Sequence, residues 1–380
     1  MLDVAVVTPR YPPVSSGGGE TSARLLATQL AASDQISDVV VFSFDGTGTE
    51  RRDGVTVTRL GRVSPTVTEY QNLQTAWYLR NRLESFDVVH SYNMELHPTV
   101  GFLSKHSDVT TVATLNSYHF FPASVTNTTP RLVERLYETV GHPTTGRIMR
   151  HYMRHIDAFI ALSQAISEIY EQRGFSSCRI EHIPNMIDPD FEAVSDISTD
   201  GYSLLYVGSL TENKGVKHLV RAVSLLSELY HLRIIGAGPR EELLQKLAVE
   251  CGVSDRIEFS GRVSYDQVGE AYAEADVFVH PGIWPEPLNR TVMEAMQSGL
   301  PVVCTDIGGP PEVIPDAEFL CEPANPSALA SAIETARESS DAVGKRNQDH
   351  IDNRYAPSVI VPQIVDLYQT LVDAENTDYR

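Results

Sequence analysis

Along the 380 residues, short apolar runs rich in valine and isoleucine alternate with longer stretches whose apolar positions recur at helical spacing. That alternation predicts a parallel sheet covered by helices, an α/β protein. In the first half, residues 4–8, 39–44, 87–90, 109–114 and 158–162 read as strands. Residues 21–32, 69–84 and the segment 131–155 read as helical stretches between them. The pattern breaks over the polar stretch 188–202, where Asp190, Ser195, Asp196 and Asp200 gather, and the domain linker is expected there. It then restarts, with strands at 204–208, 232–236, 257–260, 277–280 and 301–305. A last helix covers 357–373, apolar at Ile360, Ile364, Leu367 and Leu371. The expected division is therefore 1–190, 200–355 and a terminal helix within 356–380. Two successive doubly wound domains imply a ligand at the carboxyl ends of the strands, in the cleft where the domains face.

Composition changes this picture at one point. Apolar residues at 42% and charged residues at 21% are ordinary for a soluble globular protein. The balance of charge is not. Fifty acids against thirty bases leave −20, and the lysines are only Lys105, Lys214, Lys217, Lys246 and Lys345. Such a surface repels nucleic acid phosphates and anionic lipid, so no nucleic-acid partner is expected. The acid-rich, lysine-poor balance reads as a salt-adapted cytosolic protein, and an acidic mesophilic enzyme is the alternative. Cys178, Cys251, Cys304 and Cys321 are widely spaced and read as small buried hydrophobes. Asp3 interrupts any signal-peptide pattern, and no apolar run is long enough to span a bilayer. A cytoplasmic protein is expected, with at most a peripheral contact at the inner face of the membrane.

The densest chemistry lies in 286–301, E-P-L-N-R-T-V-M-E-A-M-Q-S-G-L-P. A strand ends near His280, a loop with Pro281, Pro285 and Pro287 follows, and Asn289 is placed to cap a short helix that Gly299 stops. The first amides of that helix, at Arg290 and Thr291, form an anion site suited to a diphosphate. Glu286 and Glu294 flank one pocket, and carboxylates bind sugars by accepting their hydroxyl protons.

This segment resembles the E-x7-E signature of the family-4 glycosyltransferases, which have the GT-B fold of twin Rossmann-like domains. Further landmarks match in order. They are Y-V-G-S-L-T-E-N-K-G from Tyr206 to Gly215, I-I-G-A-G-P from Ile234 to Pro239, and F-S-G from Phe259 to Gly261. I-P-N-M-I-D from Ile183 to Asp188 resembles the interdomain turn, and S-G-G-G-E from Ser16 to Glu20 the N-terminal glycine loop. The resemblance implies a retaining transferase that needs neither metal nor cofactor and takes a nucleotide-diphosphate sugar as co-substrate. It also implies a terminal helix that packs back on the first domain. Glu294 would bind the donor ribose, Glu286 would face the transferred sugar, and Lys214 would neutralise the diphosphate. Ser209, Gly238, Asn289, Arg290 and Thr291 would line the donor site, and Gly261, Arg262 and Val263 would border the nucleobase. Gly17 and Gly18 would let the first-domain backbone approach the phosphates. The acceptor would be a glycan, a lipid-linked glycan or a small molecule.

Three positions depart from the family pattern. Ser209 stands where an arginine is usual, which removes one phosphate clamp and leaves Arg290 as the substitute. Asn289 stands where a glycine is usual. Asn116 stands at the acceptor-side histidine, with His119 the nearest replacement. Gly236-Ala-Gly238 is half a dinucleotide fingerprint, its third glycine replaced by Glu241, and Asp188-Pro-Asp190 reads as a turn. Segment 131–155 carries five arginines, two glutamates and three histidines. It reads first as two core-facing helices with solvated arginines, and second as a cationic patch, edged by Tyr118, Phe120 and Phe121, for a membrane surface or lipid-phosphate acceptor. The rivals to catalysis by transfer are a GT-B epimerase or phosphorylase and a non-catalytic nucleotide-sugar-binding partner of another transferase.

Overall fold

The computed structural model describes residues 1–14, 17–64, 67–125, 135, 137–193 and 202–378. The described residues form two compact units. One is built from Met1–Ala123, later residues up to Met186 and the chain from Pro357; the other is built from Ile187–Ala356.

The first unit holds an eight-stranded sheet. Its strands are β1 (Leu2–Val7), β2 (Ile36–Ser43), β3 (Asp45–Arg52), β4 (Val55–Arg62), β5 (Val88–Ser91), β6 (Thr110–Leu115), β7 (Ala158–Ala161) and β8 (Ile180–His182). Their order is β3-β4-β2-β1-β5-β6-β7-β8, parallel except for β3 against β4. β5, β6 and β7 are buried along their whole length, as parallel strands covered on both faces must be. The strand order reverses at β1, the switch point where such sheets hold ligands, and α1 (Gly18–Ala31) starts just beyond it. α2 (Thr68–Leu79), α3 (His97–Ser104), α4 (Thr145–Met153) and α5 (Gln164–Tyr170) complete the connections.

The hairpin of β3 and β4 was not among the expected elements. β3 is an edge strand of sequence D-G-T-G-T-E-R-R and carries no apolar signal. Its turn was nevertheless written in the sequence as Asp53-Gly54, both at positive φ, ahead of the alternating V-T-V-T of β4.

Segment 131–155 is only partly described. Residues 131–134 and 136 lie outside the described residues; beyond them a π-helical turn, Tyr137–Gly141, precedes α4. Arg150, expected on the solvated side, turns inward and donates to the Phe120 carbonyl at 2.8 Å. Among the described residues no helix is long and apolar enough to cross a membrane.

The second unit has a six-stranded parallel sheet of order β11-β10-β9-β12-β13-β14. These are β9 (Tyr202–Val207), β10 (Tyr230–Ile235), β11 (Ile257–Gly261), β12 (Val277–His280), β13 (Val302–Thr305) and β14 (Leu320–Cys321). The helices are α6 (Val216–Val223), α7 (Glu241–Glu250), α8 (Tyr265–Glu274), α9 (Arg290–Gln297), α10 (Pro326–Glu338) and α11 (Ser340–Tyr355). The order reverses between β9 and β12, so the loops after these two strands lie side by side. Gly215 is why they can. It sits at φ +68°, and a Cβ there would stand 1.9 Å from the Pro281 carbonyl oxygen.

The last helix, α12 (Pro357–Asp378), belongs to the first unit, where Ile360, Ile364, Tyr368 and Leu371 join a core that includes Leu26 and Leu30 of α1. The boundary between units falls at Met186, ahead of the stretch read as linker. Ile187 donates its amide to the Tyr355 carbonyl at 2.9 Å, and the Asp188 carbonyl accepts from Gln297 at 2.8 Å, so both residues are tied to the second unit. The Asp190 amide donates to Asp188 Oδ1 at 3.2 Å, which makes Asp188-Pro-Asp190 an Asx turn. Residues 194–201 lie outside the described residues.

Candidate active site

In the second unit the chemistry gathers where β9 and β12 end. β12 finishes at His280, whose side chain is 3% exposed. The loop beyond it returns at Asn289, which caps α9. Asn289 Oδ1 accepts from the amides of Thr291 at 2.9 Å and Val292 at 3.3 Å, and from the Thr291 hydroxyl at 2.7 Å. This alters the expected anion site. The Thr291 amide is already taken by the asparagine's own cap, which a glycine at 289 would not supply.

Glu286 lies at the focus of four elements. Oε1 accepts from Lys214 Nζ at 2.5 Å; Oε2 accepts from Asn289 Nδ2 at 3.1 Å and faces His280 Nε2 at 3.4 Å. Its backbone carbonyl accepts from the Gly309 amide at 2.7 Å, which ties the loop to the turn after β13. Burial alone would raise the Glu286 carboxyl, but the charge of Lys214, with the hydrogen bond from His280, outweighs it and holds the pKa at about 2. Lys214 ends a short turn, Glu212–Lys214, in the loop after β9.

Glu294, one turn inside α9, is buried and accepts from two tyrosines of α8. Tyr265 donates to Oε1 and Tyr272 to Oε2, each at 3.2 Å. Burial pushes this carboxyl up, against the pull of Arg290 and the two hydroxyls. Two carboxylates on one short segment thus sit in opposite electrostatic settings, one held anionic by a cation and one destabilised as an anion.

Other expected donor residues surround this pair in the sheet order. Ser209 turns its carbonyl to the Tyr206 hydroxyl at 3.0 Å, and its own hydroxyl lies 3.4 Å from Thr211 Oγ1. Gly238 packs on the Leu210 backbone. The Gly236 amide donates to the Gly261 carbonyl at 2.7 Å, which brings the ends of β10 and β11 together; Arg262 is exposed and Val263 half-buried beyond them.

In the first unit Gly17 is the N-cap of α1 and Gly18 its first residue. Ser16 lies outside the described residues. Asn116 spends its amide on structure: Nδ2 donates to the Tyr92 carbonyl at 2.8 Å and to Asn93 Oδ1 at 3.0 Å, and Oδ1 accepts from the Met94 amide at 3.4 Å. His119 is exposed, with Nε2 2.8 Å from Thr68 Oγ1 at the start of α2. Asn116 and His119 therefore have separate partners.

Two family models match in succession. Residues 16–191 match the model described as Glycosyltransferase Family 4, and residues 188–355 the model described as Glycosyl transferases group 1. The chain belongs to the family-4, group 1 glycosyltransferases. An uncharacterized glycosyltransferase of Methanocaldococcus jannaschii is 25% identical over 365 residues, 88% of each chain. The glycosyltransferase described here spans about half the length of several further curated relatives, 46%, 52% and 48% of them. Among solved structures, sucrose-phosphate synthase from Thermosynechococcus elongatus superposes with TM-score 0.80 at 20% identity, covering 98% of this chain and 100% of that one. Anabaena HepE in complex with UDP-glucose superposes with TM-score 0.73 at 17% identity, covering 98% and 100%. These likenesses show the GT-B fold.

Three residues of the second unit's site escaped the sequence reading, and so did Glu20 of the first unit. Tyr265 and Tyr272 lie seven apart on α8, two turns on one face, but nothing local says that a glutamate of α9 receives them. His280 reads as the end of a buried strand. Glu20, buried and paired with Arg10 at 2.8 Å, reads as part of a glycine loop.

Proposed function

We propose that this glycosyltransferase moves a sugar from a nucleoside diphosphate to an acceptor with retention of configuration, and that the second unit holds the donor. The observation that carries this reading is the Glu286–Lys214 pair beside the buried Glu294. Lys214 Nζ can leave Glu286 for the diphosphate, where a point charge stabilises the leaving group as it gains negative charge. Glu286, freed on Oε1, then accepts from a hydroxyl of the transferred sugar. Glu294 accepts from the ribose, a part of the donor that does not change during the reaction. No side chain among the described residues is assigned as a nucleophile in this reading. Attack is therefore assigned to the front face, with a departing phosphate oxygen taking the acceptor proton and the protein supplying position and charge. In this reading Lys214, not a metal ion, meets the phosphate charge. The UDP-glucose bound by HepE supports a nucleotide sugar as donor. The acceptor is assigned to glycans or lipid-linked glycans.

The test is a thermal-shift panel of nucleoside diphosphates followed by transfer from the matching nucleotide sugar. A ligand that binds only the native state raises the melting temperature as its concentration exceeds its Kd. One diphosphate that raises it, with release of that diphosphate from its sugar on addition of acceptor extract, is the expected result. Ser209 and Asn116, which replace an arginine and a histidine usual in the family, favour a second reading, a non-catalytic sugar-nucleotide binder. Binding without release would select it.

A further inference from the structure

We infer that His280 and Asn289 act together as positioning residues for Glu286, fixing one carboxylate oxygen so that the other is presented to the sugar. The inference rests on the reading above that Glu286 faces the transferred sugar.

The orientation of the Asn289 amide follows from its neighbours. Its oxygen receives two backbone amides and a hydroxyl, all donors, so its nitrogen must point the other way. There it meets Glu286 Oε2 at 3.1 Å and His280 Nδ1 at 3.2 Å. A nitrogen that accepts from an amide carries no proton, which leaves the neutral imidazole's proton on Nε2, the atom facing Glu286 Oε2. The three side chains thus close a triangle in which every contact has a donor and an acceptor. Gly282 leaves room for it, since a Cβ there would stand 2.8 Å from His280 Nε2.

Consider what donor binding removes. While Lys214 holds Oε1, the carboxylate is anchored at both oxygens. When Lys214 turns to the diphosphate, only Oε2 remains anchored, by His280 and Asn289. Without them the Glu286 side chain could rotate away from the sugar just as the reaction needs it. The Asn289 side chain therefore does two jobs for which the family's usual glycine has no atoms: it accepts from the first amides of α9 and it holds Glu286.

The readouts are release of nucleoside diphosphate from whichever of the UDP-, GDP- and ADP-hexoses the panel selects, calorimetric binding of that diphosphate, and melting temperature. His280→Leu is expected to lower turnover at saturating donor roughly tenfold, the loss of one hydrogen bond to a charged group, with the diphosphate Kd nearly unchanged. His280→Gln, which restores an N–H donor, is expected to recover most of that turnover. Asn289→Gly keeps a tolerable cap, and His280→Leu/Asn289→Gly is expected to turn over little more slowly than His280→Leu, because both act through one oxygen. Full turnover in His280→Leu beside a slow Glu286→Gln would overturn the inference. So would equal loss in His280→Gln and His280→Leu, which marks a packing role. Full turnover in Glu286→Gln itself would remove both this inference and the reading beneath it.

Discussion

Lys214 donates to Glu286 across 2.5 Å, and the two side chains are only 15% and 12% exposed. Each is assigned a different part of the donor, yet in the structure each is the other's counterion. Breaking such a pair from one side leaves an uncompensated, largely buried charge. Lys214→Ala should therefore lower the melting temperature and slow transfer by roughly a hundredfold or more, the size of losing one preorganised charge donor. Lys214→Ala/Glu286→Gln should recover the melting temperature and not the rate. Thermal melts beside donor turnover check both halves. An unchanged rate would place the phosphates on another group, with Arg290 the first to examine.

Glu294 should be a stability cost borne for binding. Its folded pKa is raised by burial, so its contribution to stability is fully present below the ordinary carboxylate range and lost as pH rises through the folded value. Glu294→Gln removes that loss. The variant should melt higher than the parent at neutral pH, and the gap should close on acidification towards pH 4. Melting curves from pH 4 to 8 measure it; a variant that melts lower at neutral pH contradicts the assignment.

How much of this could be read from the chain depends on how local the cause is. The buried strands, the Asn289 cap and the spacing of Glu286 and Glu294 are local, and they were legible. Strand β3 was not, because an edge strand need not be apolar, although Asp53-Gly54 marked its turn. The fate of the Thr291 amide was missed for a subtler reason: a cap that satisfies a helix also closes it to an anion. Tyr265, Tyr272 and His280 matter through partners on other elements, and no periodicity reports a partner. The tie of Ile187 to Tyr355, which moves the unit boundary ahead of the polar stretch, joins residues 168 apart.

The first unit should be sensitive to acid through two buried histidines. His90 lies between Tyr368 of α12, 2.5 Å away, and Thr114 of β6, 2.7 Å away. Burial, with the neighbouring His97, holds its pKa at about 3, and burial holds His97 at about 4. For a base lowered below its unfolded value near 6.5, stability is full above that value and is lost as pH falls towards the folded one. Melting temperature should therefore fall steadily from pH 6.5 to pH 4, and less steeply in His90→Gln. Parallel slopes for the two proteins would show that His90 does not carry the effect.

Net charge of −20 with five lysines should make stability salt-dependent. Self-repulsion at the surface loosens a compact state, and molar salt shortens the screening length to about 3 Å. The melting temperature in molar potassium chloride should exceed that in dilute buffer. Equal values in the two would contradict a salt-adapted surface.

The central claim is that the two glutamates divide the donor between them, ribose to Glu294 and reacting sugar to Glu286. The direct measurement is calorimetric titration of Glu294→Gln and Glu286→Gln with the nucleoside diphosphate, beside turnover at saturating donor. Glu294→Gln should weaken diphosphate binding and spare turnover, as loss of uniform binding does. Glu286→Gln should keep diphosphate binding nearly intact and depress turnover. The reverse pattern, with diphosphate binding abolished in Glu286→Gln and untouched in Glu294→Gln, would contradict the account.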